Sequence, residues 1–201
     1  MKLILASNND AKLREMRELL TGLDVTVLSQ REAGCDFSVE ETGETFAENA
    51  RLKAEAVLAA TGEAAVADDS GLMVDALDGA PGVYSARFTG RHEDSDEDRN
   101  RFLLQKLEGV TDRRAKFVSC VCCVLPGGRR IEMRGECHGS IAFAPRGAGG
   151  FGYDPLFLSD DYPGMTTAEL SPEQKNGISH RGRAMRALRE ELRKVLSYAD
   201  E

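Results

Sequence analysis

Ala64-Ala65-Val66-Ala67-Asp68-Asp69-Ser70-Gly71 is an apolar run that ends abruptly in two adjacent carboxylates, a hydroxyl and a glycine. Small apolar residues suit a buried strand, and buried strands stop where polar residues begin. Asp68 and Asp69 are therefore expected at the carboxyl end of a strand, which in open α/β sheets is where ligands bind. Neighbouring carboxylates repel one another unless a cation or proton intervenes, and a hard metal ion is the natural guest. The competing reading is a plain strand exit in which Asp and Ser cap the next segment.

The flanking sequence supports an α/β chain. Lys2 to Ala6 reads as a first strand, Ser7-Asn8-Asn9 as a turn, and Asp10 to Leu20 as a helix with Leu13, Met16, Leu19 and Leu20 on one face. Lys12 then lies near the amide donors of a helix start, a phosphate-site signal without a Walker A pattern. A short strand from about Asp24 to Leu28 follows. The capping box Thr45-Phe46-Ala47-Glu48 opens a second helix, with Asn49, Leu52, Lys53 and Ala56 within two turns. Ahead of it stand Glu40 and Glu41, solvated acids or a source of a second oxygen ligand for a metal held by Asp69.

Further along, Arg91 to Asp98 is a charged loop from which Ser95 to Asp98 caps a helix through Leu107. Two alternating runs, Ala115 to Leu125 and Arg129 to Phe143, joined by Pro126-Gly127-Gly128, read as a long hairpin. An amphipathic helix from about Ser179 to Tyr198 closes the chain, with Met185, Leu188, Leu192 and Val195 inward.

At 201 residues and 41% hydrophobic content the chain fits one domain, or two lobes sharing a core. A net charge of −8 argues against nonspecific binding to nucleic acid or anionic membranes, so any phosphate site must be local. No run of about 18 apolar residues appears, and Met1 to Ala6 is too short for a signal peptide, so a cytoplasmic location is expected. Five cysteines is an odd number, and Cys120, Cys122 and Cys123 crowd one segment. Adjacent Cys122 and Cys123 point to opposite faces of a strand and no CxxC pair occurs, which favours reduced thiols over a zinc site.

Two more constellations carry chemistry. Gly147-Ala148-Gly149-Gly150-Phe151-Gly152-Tyr153-Asp154-Pro155 sets two aromatic rings among glycines, either to stack on a planar base with close backbone approach or to tuck back into the core. In Lys175-Asn176-Gly177-Ile178-Ser179-His180-Arg181-Gly182-Arg183, Ser179 can cap a helix whose first turn carries His180 and Arg181. Cations there oppose the helix dipole unless a ligand or partner compensates.

Taken in order, Ser7-Asn8-Asn9 with Lys12, Glu40-Glu41-Thr42-Gly43, Phe46-x-x-Asn49 with Lys53, Ala67 to Leu72, Gly79 to Arg87, Gly149 to Pro155 and Ser179-His180-Arg181-Gly182 resemble the inosine triphosphate pyrophosphatase family, the XTP/dITP diphosphatases. The likeness runs from the first strand to the last helix. It implies a house-cleaning enzyme that hydrolyses noncanonical purine nucleoside triphosphates (ITP, dITP, XTP) to the monophosphate and pyrophosphate with Mg2+, and that is a homodimer. It implies one domain over 1–201, built as a long, mixed, twisted sheet flanked by helices, in two lobes with a nucleotide cleft.

By the same resemblance Asp69 is the catalytic base and a metal carboxylate, Glu40 the other magnesium ligand, and Ser70 a substrate contact. Ser7, Asn8, Asn9, Asp10, Ala11 and Lys12 correspond to the phosphate-binding loop, with Lys53 adding a second point charge. Asn8 stands where the family has glycine, in a Thr-Gly-Asn opening. Phe151, Gly152, Tyr153, Asp154, Lys175, His180 and Arg181 correspond to base- and substrate-binding positions. Donors from His180 or Arg181 would favour purines with a 6-oxo group over adenine. Either Asp68 or Asp69 can accept the proton of the attacking water. The rival classes are a related pyrophosphatase acting on modified pyrimidine nucleotides and a nucleotide-binding regulator without catalysis.

Overall fold

A computed structural model describes residues 1–91 and 93–197; His92 of the charged loop and Tyr198 of the expected last helix lie outside them. In chain order the elements are β1 (Lys2–Leu5), α1 (Asp10–Leu19), β2 (Thr26–Ser29), α2 (Phe46–Thr61), β3 (Ala64–Val74), α3 (Asp96–Lys106), β4 (Arg114–Val124), β5 (Arg130–Ile141), β6 (Phe157–Ser159), α4 (Pro172–Ile178) and α5 (His180–Ser197). The strands form one six-stranded sheet in the order β2-β1-β3-β4-β5-β6. β1 runs parallel to β2 and β3, whereas β5 and β6 are antiparallel, so the sheet is mixed as expected. No helix among the described residues is long and apolar enough to cross a membrane.

The chain divides into two compact units, the first comprising 1–69, 119–134 and the segment from 183 onward, the second 70–118 and 135–182. In the first unit the period of two along the strands sorts side chains onto opposite faces. Leu3, Leu5, Val66, Val121 and Cys123 pack with Leu13 and Met16 of α1 and with Met185, Leu188 and Leu192 of α5. Ile4, Ala65, Ala67, Cys122 and Val124 pack with Ala50, Ala54 and Val57 of α2. Cys122 and Cys123 thus face opposite ways, and burial pushes both thiols up to about 12. Small residues on β3 and α2 allow that helix to lie close to the sheet.

Capping sets α2. Thr45 accepts from the Glu48 amide, Glu48 reaches back to the Thr45 amide, and Gly62 ends the helix at φ +71°. The turn between β4 and β5 is closed by the Leu125 N–H donating to Arg129 O at 2.9 Å, with Gly127 and Gly128 at positive φ. The second unit has its own core, in which Leu72 and Val74 of β3, Leu103 of α3 and Leu107 just past it, and Ile141, Leu156 and Phe157 come together.

One expectation about β3 needs correction. The strand does not end at the carboxylates; it continues to Val74, so Asp68, Asp69 and Ser70 are mid-strand residues. What ends there is the pairing with β1, which covers only Ala64 to Val66, while β4 remains a neighbour on the other side. The carboxyl-end rule applies to β1, and β3 carries its polar residues just past that edge.

Candidate active site

In the first unit, charged groups gather around Asp69. Asn49 and Lys53 lie one turn apart on α2 and so share a face. Asn49, fully buried, receives the Gly43 N–H on Oδ1 at 2.8 Å and donates Nδ2 to Asp69 Oδ2 at 3.2 Å. The Gly43 bond fixes which way the amide points. A side chain at Gly43 would meet Asn49 Oδ1 and Glu48 Cβ at 2.7 Å, so the glycine is required by this close approach. Lys53 Nζ donates to Glu41 Oε1 at 2.8 Å, Asp68 O at 2.9 Å and Asp69 Oδ1 at 3.3 Å. Three acceptors meet the three ammonium donors.

Burial, reinforced by the Glu41 charge, raises the Asp69 carboxyl above its ordinary value despite opposition from Lys53 and Asn49. Burial also works against the Lys53 charge, but Asp69, Glu41 and Asp68 together outweigh it and hold its pKa above the usual lysine value. Asp68 is differently placed. Its side chain is 2% exposed and accepts both Oδ1 and Oδ2 bonds from Lys12 Nζ, at 2.9 and 3.0 Å. A carboxylate closed over by an ammonium in this way is shielded from an incoming water; Asp69, at 14%, is the more open of the two.

The glutamate that reaches this cluster is Glu41. Glu40, the residue before it, is exposed. Hard carboxylate oxygens from Asp69 and Glu41 already converge on one cation, and Glu41 raises the proton affinity of Asp69. That donor chemistry fits a divalent ion of the magnesium type.

The loop before α1 is self-satisfied. Asn9 caps α1, its Oδ1 accepting from Ala11 N at 2.9 Å and Lys12 N at 3.1 Å, while Ser7 Oγ accepts from Asn9 N. Two amides expected to face a phosphate are thus engaged by the loop's own side chain, and exposed Asp10 occupies the first turn. Asn8 does not need a left-handed backbone, since Asp78 is the positive-φ non-glycine residue among those described. Its side chain instead ties down the next loop, donating to Asp36 Oδ1 at 2.5 Å and accepting from Arg31 N at 3.0 Å.

The second unit holds the aromatic loop, and it separates the two rings. Phe151 is 68% exposed, with Lys175 Nζ 4.6 Å from its ring centroid. Tyr153 is buried, its hydroxyl donating to Ser85 O at 2.8 Å, and burial lifts its phenol far above the usual range. The core reading therefore applies to the Tyr153 ring and not to Phe151. Buried Asp154 accepts from Phe151 N at 2.8 Å, Thr167 Oγ1 at 2.8 Å and Lys175 Nζ at 2.5 Å. Added side chains at Gly147 and Gly150 would collide with Ala168 and Asp154. These glycines serve the loop's own packing rather than ligand approach.

Ser179 caps α5 as expected, its Oγ accepting from Gly182 N at 3.0 Å. In that first turn, the His180 ring stacks on Phe117 at 5.0 Å, and Arg181 Nη2 donates to Ser70 Oγ at 3.4 Å. Asn49 and Thr167 join the candidate residues: the first stands in the Phe46-x-x-Asn49 block, one turn before Lys53, whereas no pattern in the sequence points to the second.

Comparison with known proteins defines the class. Residues 3–191 match the Ham1 family model, and the chain belongs to the Ham1 family. It is similar to the dITP/XTP pyrophosphatase of Geobacter sulfurreducens, with 50% identity over 95% of this chain and 96% of that one. To the dITP/XTP pyrophosphatase of Exiguobacterium sp. it is 49% identical over 96% and 97% of the two chains. The solved Ham1 protein of Staphylococcus aureus superposes with a TM-score of 0.90 at 43% identity, covering 96% of this chain and 99% of that one.

Proposed function

We propose that this chain hydrolyses noncanonical purine nucleoside triphosphates, dITP and XTP with ITP, to the nucleoside monophosphate and pyrophosphate. The observation that carries the chemistry is the Asp69 carboxylate, partly open and raised in proton affinity, held on one oxygen by Asn49 and on the other by Lys53. Such a group accepts a proton from the water that attacks the α-phosphorus better than an ordinary aspartate does. Asp68, locked to Lys12, orients that cation instead. Lys12 and Lys53 supply positive charge to the triphosphate, and Phe151 offers an exposed ring face to the purine.

Asp69 and Glu41, with Glu40 on the same segment, are the residues that would hold Mg2+. When bound, the ion would neutralise phosphate charge and lower the pKa of a coordinated water. The active species is a homodimer acting in the cytoplasm, as the family resemblance implies. The pyrimidine alternative finds no support among the relatives. Incubation with a nucleotide panel and Mg2+ tests the reading: pyrophosphate from dITP, XTP and ITP, far faster than from ATP or GTP, is expected. Equal turnover of ATP and ITP would overturn the specificity, and orthophosphate as the product would overturn the bond assignment.

A further inference from the structure

Phe151 cannot position itself, because its ring is exposed and has no core to register against. Its place depends on the backbone on either side: Asp154 holds the Phe151 N–H, and the next residue, Gly152, sits at φ +62°. Both polar groups of that glycine are taken by α3. The Gly152 N–H donates to Asp96 Oδ2 at 2.6 Å, and Gly152 O accepts from Asn100 Nδ2 at 2.9 Å. Asp96 and Asn100 are one helical turn apart and present one face to the loop. Asp96 is itself steadied by Arg99, which donates to its other carboxylate oxygen and to Asp94 O.

Asn100 has a feature that packing does not explain. It is 5% exposed, and its Oδ1 is buried with no hydrogen-bond partner among the described residues. A buried unpaired acceptor costs about as much as one ordinary hydrogen bond contributes, so the unpaired Oδ1 offsets what the Nδ2 bond adds and the amide brings little net stability. What an apolar residue cannot do is hold the Gly152 carbonyl.

We propose that Asp96 and Asn100 are positioning residues that fix the Phe151-Gly152 backbone so that the Phe151 ring is preset to stack on the purine. This rests on the stacking role given to Phe151 above. Preset stacking strengthens binding of ground state and transition state alike, which raises KM on its loss and leaves kcat in place.

Steady-state kinetics with dITP provide the test. Asp96→Ala and Asn100→Ala are each expected to raise KM about fivefold with kcat within about twofold. Asp96→Asn should recover most of the loss, since its amide oxygen can still accept the Gly152 N–H. In a Phe151→Ala background, Asp96→Ala should add nothing to KM, because both changes act through one ring. Multiplicative effects in that background, a failed Asp96→Asn rescue, or a fall in kcat alone would overturn the proposal. Asp96 is nearly half-exposed, so its variants keep the test open where Asn100→Ala unfolds.

The two readings can fail separately. A raised KM in Phe151→Ala with unchanged KM in folded Asp96→Ala and Asn100→Ala defeats positioning alone; unchanged KM in Phe151→Ala defeats the stacking role and this proposal with it. The chain has no tryptophan, so Phe151→Trp creates a single reporter on the loop. Adding Asp96→Ala should lower its fluorescence anisotropy, and unchanged anisotropy counts against the clamp.

Discussion

Replacing Lys53 by methionine removes the cation that Asp69 and Glu41 share while keeping a flexible apolar stem of similar length. The lysine side chain is 16% exposed and its partners 14% and 30%. Breaking a fully buried ion pair costs about 3–5 kcal/mol; with this much residual solvent contact, about 2–3 kcal/mol is expected. For a chain of 201 residues that corresponds to a fall in Tm of roughly 4–12 °C. The sign of the pH dependence follows from Asp69. Its folded-state pKa already lies above the ordinary 3.8, so the folded state binds the proton more tightly and stability declines as pH rises through that window. Without Lys53 the carboxyl rises further and the decline extends to higher pH. Thermal unfolding of wild type and Lys53→Met in EDTA should therefore show a smaller gap at about pH 5 than at about pH 8, and Mg2+ should narrow the gap at the higher pH. An equal Tm difference at both pH values would refute the claim that carboxylate repulsion is what Lys53 relieves.

Asp69→Asn should preserve the fold and lower kcat by several powers of ten, each worth about 1.4 kcal/mol of barrier; a folded variant with near-normal turnover would remove Asp69 from its role. Glu41→Gln should raise the Mg2+ concentration needed for half-maximal rate more than Glu40→Gln does, and the reverse order in a magnesium titration would return the metal role to Glu40. Phe151→Ala should weaken substrate binding by about 1–3 kcal/mol without changing the bond cleaved, as read from KM and product analysis. Tyr153→Phe should instead act on stability, by about 1 kcal/mol through loss of the Ser85 bond, with KM unchanged in a thermal-shift and kinetic comparison.

The legible part of the fold rests on local rules. Thr45 with Glu48, Ser95 with Asp98 and Ser179 ahead of His180 announce three helix starts because capping is settled within four residues. The run Ala64 to Ala67 reads correctly as buried strand since both faces are covered, by α1 and α5 on one side and α2 on the other. Where β3 ends was not legible. Its continuation past Asp68 and Asp69 depends on β4, about 50 residues later in the chain, which keeps a polar segment extended after the pairing with β1 has ceased. Tertiary pairing overrode the local stop signal.

The site divides along the same line. Lys12, Lys53 and Asp69 stand out by type and context, whereas their partners are chosen by register over distance. Tyr153 and Phe151 are two residues apart in a glycine-rich loop, and no periodicity exists there to say which ring is buried; the decision is made by Ser85, whose carbonyl takes the Tyr153 hydroxyl. Glu40 and Glu41 pose the sharper case. The Thr42 N–H donates to Glu40 O at 3.1 Å, closing a three-residue turn on Glu41, so a one-residue difference exchanges an exposed acid for one bonded to Lys53 beside Asp69. What resolves it is Gly43, pinned through Asn49 to Asp69: two residues upstream of that anchor, Glu41 is delivered to Lys53. The side chain that brings Glu41 rather than Glu40 to Lys53 is therefore a neutral amide on α2, at a position that carries no charge.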